Sequence, residues 1–313
     1  MTVQVMTVNG PLPPDALGTT DAHTHVWIAP VAGSAPDAPV LHDEAAIVRE
    51  LEDYQRVGGG AVADCQPGGC GRDGRALAHL SAATGVHIIA ATGYHRAKYY
   101  LPDAPQLRLT AEQACDYFVD EILGGLTETR EDDVLVYPGF IKIAAEATVE
   151  SSPTALMEGA AATCLATGYA IEMHTEKGAS IEEFLEFFIR QGVSPHRLVF
   201  CHVDKRPDVG LHRELTASGV VLEYDTFFRP KYQPQNNVWP LIEAMLAAGH
   251  ADRLALATDM ADSAMWCSYG GQPGMAAFVT QIQARLVRMG MDEGTVHGLT
   301  GGVIADRLAV SFE

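Results

Sequence analysis

The stretch Thr19-Thr20-Asp21-Ala22-His23-Thr24-His25-Val26-Trp27-Ile28 decides the fold. It reads as the first of a series of short β-rich runs, and the turn that follows, His25-Val26-Trp27-Ile28, carries no GxGxxG. A doubly wound open sheet usually places a glycine-rich turn after its first strand. Its absence favours the other parallel architecture, the closed barrel. Within the stretch, His23 and His25 stand two residues apart, and alternate residues of a strand share a face. Two imidazoles aimed at one point suit two ligands of one metal ion. An HxH pair alone arises often by chance, so the rest of the chain must supply further ligands.

Seven more apolar runs follow, at Ala61 to Cys65, Val86 to Thr92, Tyr137 to Ala144, Tyr169 to His174, Leu198 to His202, Val220 to Tyr224 and Leu254 to Thr258. Helical patterns separate them. Ile47, Leu51 and Tyr54 recur on one helix face, and Thr110 to Gln113 and Ser180 to Glu183 each read as a capping box. Gly192, Gly219 and Gly249 sit where helices should stop. Eight β-α units with near-continuous apolar strands predict an α/β fold, a single TIM (β/α)8 barrel domain over residues 1–313.

Composition narrows the function classes. The chain is 47% hydrophobic with a net charge of -19, which argues against nucleic acid or an anionic membrane surface as the partner. Six cysteines form no CxxC pair, no secretory signal opens the chain, and no run of about 18 apolar residues exists to span a bilayer. The expected compartment is the cytoplasm, with reduced, mostly buried thiols.

Barrel chemistry collects at the carboxyl ends of the strands. Those ends offer His23 and His25, then Lys142, His174, His202 and Asp259 in order. Each alone has an ordinary explanation: a hydrogen-bonded core histidine, or an aspartate capping the next helix. Together they point to a metal centre. Lys142 is the most informative, because Gly139-Phe140-Ile141-Lys142-Ile143-Ala144 is an apolar strand where a free ammonium is costly. It either snorkels to the barrel mouth, pairs with Glu146, or has a lowered pKa and reacts as the neutral amine with CO2. The resulting carbamate has two oxygens able to bridge two metals.

These motifs resemble those of the phosphotriesterase family of the amidohydrolase superfamily, phosphotriesterase-like lactonases included, over nearly the whole chain. Phe140-Ile141-Lys142-Ile143-Ala144 is similar to the family's carboxylated-lysine strand. Met173-His174-Thr175 and Cys201-His202-Val203-Asp204 are similar to its next two histidine strands, and Thr258-Asp259-Met260 to its final aspartate. Gly71-Arg72-Asp73 and Ala91-Thr92-Gly93-Tyr94 match as well. The resemblance implies His23, His25 and Asp259 on a buried metal, His174 and His202 on a more exposed one, and carboxylated Lys142 bridging. It implies that Asp259 takes a proton from a bridging hydroxide as that hydroxide attacks. It further implies a homodimer and two divalent ions, zinc foremost with manganese, cobalt or iron as alternatives. The chain departs from the pattern at Thr24, where a glutamate is common, and at His95, near which lactonase relatives often have a tyrosine. Tyr94 or His95 would then orient a substrate.

The expected function is a binuclear metal-dependent hydrolase of a small molecule, foremost a lactonase acting on a plain or phosphorylated sugar lactone. The alternatives are a phosphotriesterase or phosphodiesterase and, in another class, a non-catalytic ligand-binding barrel. Arg96, Lys98, Lys177, Lys205, Arg206, Arg229 and Lys231 all follow strands, and such cations would grip a phosphate or carboxylate through charge-assisted hydrogen bonds. Solvated loop charge is the competing explanation. The loop Ala261 to Gly274, with Trp266 and Tyr269, is expected to close over the substrate. The expected substrate contacts are Tyr94, His95, Lys205, Arg229, Lys231, Trp266 and Tyr269.

Overall fold

The structure is a computed structural model that describes residues 2–131 and 133–312. A small antiparallel sheet comes first and last in the chain. Strand β1 (Thr2–Thr7) pairs with β2 (Gly10–Leu12) on one side and with β11 (Val310–Phe312) on the other. Eight strands then pair in parallel in chain order, each followed by helix or loop. They are β3 (Thr19–Thr24), β4 (Gly59–Asp64), β5 (His87–Gly93), β6 (Phe140–Ala144), β7 (Ile171–His174), β8 (Leu198–Cys201), β9 (Val221–Tyr224) and β10 (Leu254–Leu256). Each falls within a few residues of an apolar run read from the sequence, and eight parallel strands in a nearly closed barrel confirm the expected fold.

The helices cover the outside. They are α1 (Glu44–Arg56), α2 (Gly74–Thr84), α3 (Ala111–Gly124), α4 (Thr154–Thr167), α5 (Ile181–Arg190), α6 (Val209–Ala217), α7 (Val238–Ala247), α8 (Ala284–Arg288), α9 (Glu293–His297) and α10 (Val303–Leu308). Helix α1 buries Ile47, Leu51 and Tyr54 and is capped by the Asp43 side chain on the Ala46 N–H. The capping box at Thr110 and Gln113 forms as expected. That at Ser180 does not: Ser180 is left-handed, with φ 46°, so its hydroxyl caps no helical N–H. Among the described residues no helix is long and apolar enough to cross a membrane.

Residue size explains where the site lies. Inside the barrel, small side chains such as Ala22, Ala61, Ala63, Ala170, Ala255 and Ala257 fill the lower layers with Phe140 and Ile89, closed from below by Val5, Leu17 and Leu308. The larger polar side chains occupy the upper half. Strands β3 and β10 meet at the seam of the barrel without a regular ladder. There the buried Asp21 carboxylate accepts the Thr258 N–H at 3.0 Å and the Thr258 hydroxyl at 2.5 Å. Just above, the Asp259 N–H donates to the His23 carbonyl at 2.8 Å. The first and eighth strands are therefore joined where two of the expected ligands arise.

Candidate metal centre

His23 lies in β3 and His25 one residue beyond it; His174 ends β7, and His202 and Asp259 follow β8 and β10. His202 and Asp259 both adopt left-handed backbone, with φ 65° and 50°. A non-glycine residue held there costs about 1–3 kcal/mol, and such strain concentrates at functional sites. Here it turns both side chains back over the barrel mouth.

The four imidazoles are neighbours. Ring centroids are 5.6 Å apart for His23 and His25, 4.9 Å for His23 and His202, and 4.7 Å for His174 and His202. Each ring has one nitrogen engaged by the protein. Gln66 donates its amide to the Cys70 carbonyl, which leaves Oε1 to accept from His25 Nδ1 at 2.8 Å. His202 Nδ1 meets the Asp225 carboxylate. His174 Nε2 is 3.1 Å from Glu176 Oε1. His23 Nδ1 faces the floor of the site, 2.9 Å from Glu223, 3.2 Å from Glu172 and 3.4 Å from Lys142 Nζ.

The second nitrogen of His23 and His25 points at Asp259. Their Nε2 atoms lie 3.8 and 3.9 Å from Asp259 Oδ1. That is too far for a hydrogen bond, yet it suits two ligands that each lie about 2.1 Å from a shared ion. His23, His202 and Asp259 bring ligand atoms close enough to hold one metal. Burial, reinforced by neighbouring positive groups, holds the His23 and His202 rings well below the usual imidazole range, and burial takes His25 down to about 4. Neutral imidazoles are the form that binds metal. Burial works to raise the Asp259 pKa, but Arg229 and His202 outweigh it and keep it below the usual carboxylate range. The donor set fits a metal centre.

Lys142 is fully buried under this cluster, and its Nζ sits 3.0 Å from Glu172 Oε1 and 3.4 Å from Cys201 Sγ. The alternative pairing with Glu146 does not form; Glu146 is bound to Arg96. Nor is its pKa lowered. Burial pulls it down, but Cys201, Cys65, Glu172 and Glu223 together hold it above the ordinary value. The sequence reading missed those floor carboxylates. Glu172 stands two residues before His174 and Glu223 two before Asp225, so strand alternation already places each on an inward face. Glu172 Oε2 and both Glu223 oxygens lack a hydrogen-bond partner among the described residues, the Glu223 approach to His23 being out of line for one.

Above the ligands lies a cavity of about 180 Å³ lined by the four histidines, Asp259, His95, Gln66, Tyr99, Arg229 and Asp262. Of the expected substrate contacts, His95 and Arg229 reach it. Tyr94 is buried in the core and does not line it, Lys205 turns toward Asp225 and Asp259 at 3.9 and 4.0 Å, and Lys231 is exposed beside Tyr232. Trp266 is fully buried and donates to the Met260 carbonyl, while the Tyr269 hydroxyl accepts the Asp43 N–H. Only Ala261 and Asp262 of the 261–274 loop line the cavity. Its main wall is instead the segment after β3, residues 28–40.

A parallel barrel with neutral histidines and an aspartate converging at its carboxyl ends defines a protein with a cluster of possible metal ligands at its mouth. The particular lineage is also clear: the chain belongs to the phosphotriesterase family, whose profile matches residues 3–300. A phospho-furanose lactonase of Mycoplasmopsis synoviae is 27% identical over 285 residues, spanning 87% of this chain and 80% of that protein. A phosphotriesterase homology protein of Mycobacterium tuberculosis is 28% identical over 270 residues, 82% of this chain and 80% of that one. The crystal structure of a lactonase from Listeria monocytogenes superposes with a TM-score of 0.88 at 21% identity, covering 97% of this chain and 98% of that chain.

Proposed function

We propose that the protein is a binuclear metal-dependent hydrolase that opens lactones. The observation that carries this reading is the division of labour at each ring: one nitrogen is tied to protein while the Nε2 atoms of His23 and His25 converge on Asp259. His23, His25 and Asp259 would hold one divalent ion, His174 and His202 the second, and carboxylated Lys142 would join them. Bound there, such ions supply Lewis acidity and a nucleophile from water at neutral pH. The family membership and the relatives named lactonases support an ester-type bond as the target.

The chain's own residues perform the remaining tasks. Gln66, Asp225, Glu176 and the floor carboxylates fix ring orientation, as partners of metal-bound histidines commonly do. Asp259 stays ionised and is positioned to accept the proton released when the nucleophile attacks. Arg229 Nη2 donates to Asp259 Oδ2 at 2.9 Å and fixes that carboxylate. Carboxylation needs the neutral amine, so the positive charge of ions bound above would have to lower the Lys142 pKa and expel its proton. The carbamate then keeps one N–H, which Glu172 is placed to accept.

Metal analysis should return about two divalent ions per chain, and the zinc-loaded protein should hydrolyse γ-lactones. Lys142→Ala should lose metal and lactone turnover together, and growth with labelled bicarbonate should place a carbamate carbon signal in the wild type alone. Full metal occupancy in Lys142→Ala would refute the bridging role.

A further inference from the structure

The cations expected to hold a substrate phosphate are either bonded within the protein or absent from the cavity lining. Arg229, which does line the cavity, spends Nη1 on the Asp225 and Thr258 carbonyls at 3.1 and 2.9 Å. Its Nη2 is spent on the Asp259 carbonyl and carboxylate. All four terminal N–H bonds therefore have protein acceptors. Arg96 is paired with Glu146 and Glu176, and Arg206 with Glu182. Lys205 points down toward Asp225 and Asp259. Lys98, Lys177 and Lys231 are exposed and outside the cavity lining.

What lines the cavity above the ligands is apolar on one side and acidic on another. Ile28, Val31, Ala38, Pro39 and Val40 form a wall, and the exposed Asp262 stands at the edge of the same space. Asp262 Oδ1 accepts the Ala264 N–H at 2.9 Å, and no cation pairs with its charge among the described residues. Beyond the ions that the ligands would hold, a phosphate brought here would meet a carboxylate and no lining side chain with a free positive charge. Specificity of this kind is built as much by a repulsive group as by an attractive one.

From this geometry we propose that the substrate is an uncharged lactone whose apolar substituent lies against residues 28–40, and that Asp262 excludes phosphorylated substrates. The proposal rests on the hydrolase reading above. It separates this chain from its relatives named phospho-furanose lactonases.

The test uses three γ-butyrolactones that differ at one ring substituent: propyl, hydroxymethyl, and the phosphate ester of hydroxymethyl. With the zinc-loaded protein, kcat/KM should be highest for propyl and at least about tenfold lower for the phosphate ester than for its parent alcohol. Asp262→Asn should narrow the gap between those two, chiefly by lowering KM for the phosphate ester. Equal or faster turnover of the phosphate ester, or an unchanged gap in Asp262→Asn, overturns the proposal.

If none of the three is hydrolysed while metal is bound, the hydrolase reading fails, and binding alone decides specificity. Calorimetry with the unreactive lactam pyroglutaminol and its phosphate ester then applies, with inorganic phosphate measured alongside to account for direct capture by metal. Weaker binding of the ester than of pyroglutaminol, after that correction, supports the exclusion. Equal or tighter binding overturns it.

Discussion

Glu223 shows what a single buried acid contributes here. Both its oxygens lack hydrogen-bond partners among the described residues, and burial, with Glu172 beside it, drives its pKa well above the usual carboxylate range. A buried group in that state costs stability. It lies 2.9 Å from His23 Nδ1 without a hydrogen bond, a contact that backs the ring on the side away from Asp259. Glu223→Leu should therefore weaken metal retention by about 10–100-fold, read by competition with a chelator. The same substitution should leave the unfolding midpoint of the metal-free protein unchanged or raised. Unaltered metal affinity would show that Glu223 does not orient the ring.

At the scale of elements, one polar tie that joins several of them is Arg72, which sits just before α2. Its buried guanidinium binds Glu121 of α3 and Glu128 in the following turn, and it donates to the Ala91 carbonyl of β5 at 2.6 Å. Removing one partner of such a buried network leaves uncompensated charge. Arg72→Met should lower stability by about 3–5 kcal/mol in urea unfolding. Burial works to raise the Glu121 pKa, yet Arg72 prevails and holds it at about 2 against an ordinary 4.5. Because the folded value is depressed, the ionised group stabilises the protein above its unfolded pKa, and that contribution is lost as pH falls through the folded one. The stability gap between wild type and Arg72→Met should thus shrink, on the order of 3 kcal/mol, from about pH 5 down to about pH 2. A gap constant over that range would assign Arg72 a packing role only.

Elements also show what the sequence can reveal. The eight strands and the histidines at their ends were legible because apolar runs and barrel geometry are both local or periodic signals. Glu172 and Glu223 were within reach of the same period-two rule, but acids inside apolar strands draw less notice than histidines. The 28–40 wall was not legible, since an irregular segment acquires its position only from packing across the barrel mouth. The cations misled for a related reason. Arg96 finds Glu146 and Glu176, 50 and 80 residues away, and no local pattern announces those pairings. Trp266 looked like a lid residue and is instead packed in the core.

For the whole molecule, the internal pairing of the strand-end cations governs how a substrate arrives. A protein of net charge -19 presents a repulsive field to anions, and beyond the ions its ligands would hold no side chain lining the cavity offers a free positive charge against it. An approaching anion is slowed, and added salt relieves that slowing by screening the field. An uncharged substrate feels neither effect. With the preferred lactone, kcat/KM should stay flat as ionic strength rises, whereas any residual turnover of an anionic analogue should increase. A rate for the anion that falls with salt would reveal attraction at the mouth. The arginine and lysine side chains that build this site thus add no electrostatic reach of their own, and encounter with an uncharged substrate is left to ordinary diffusion.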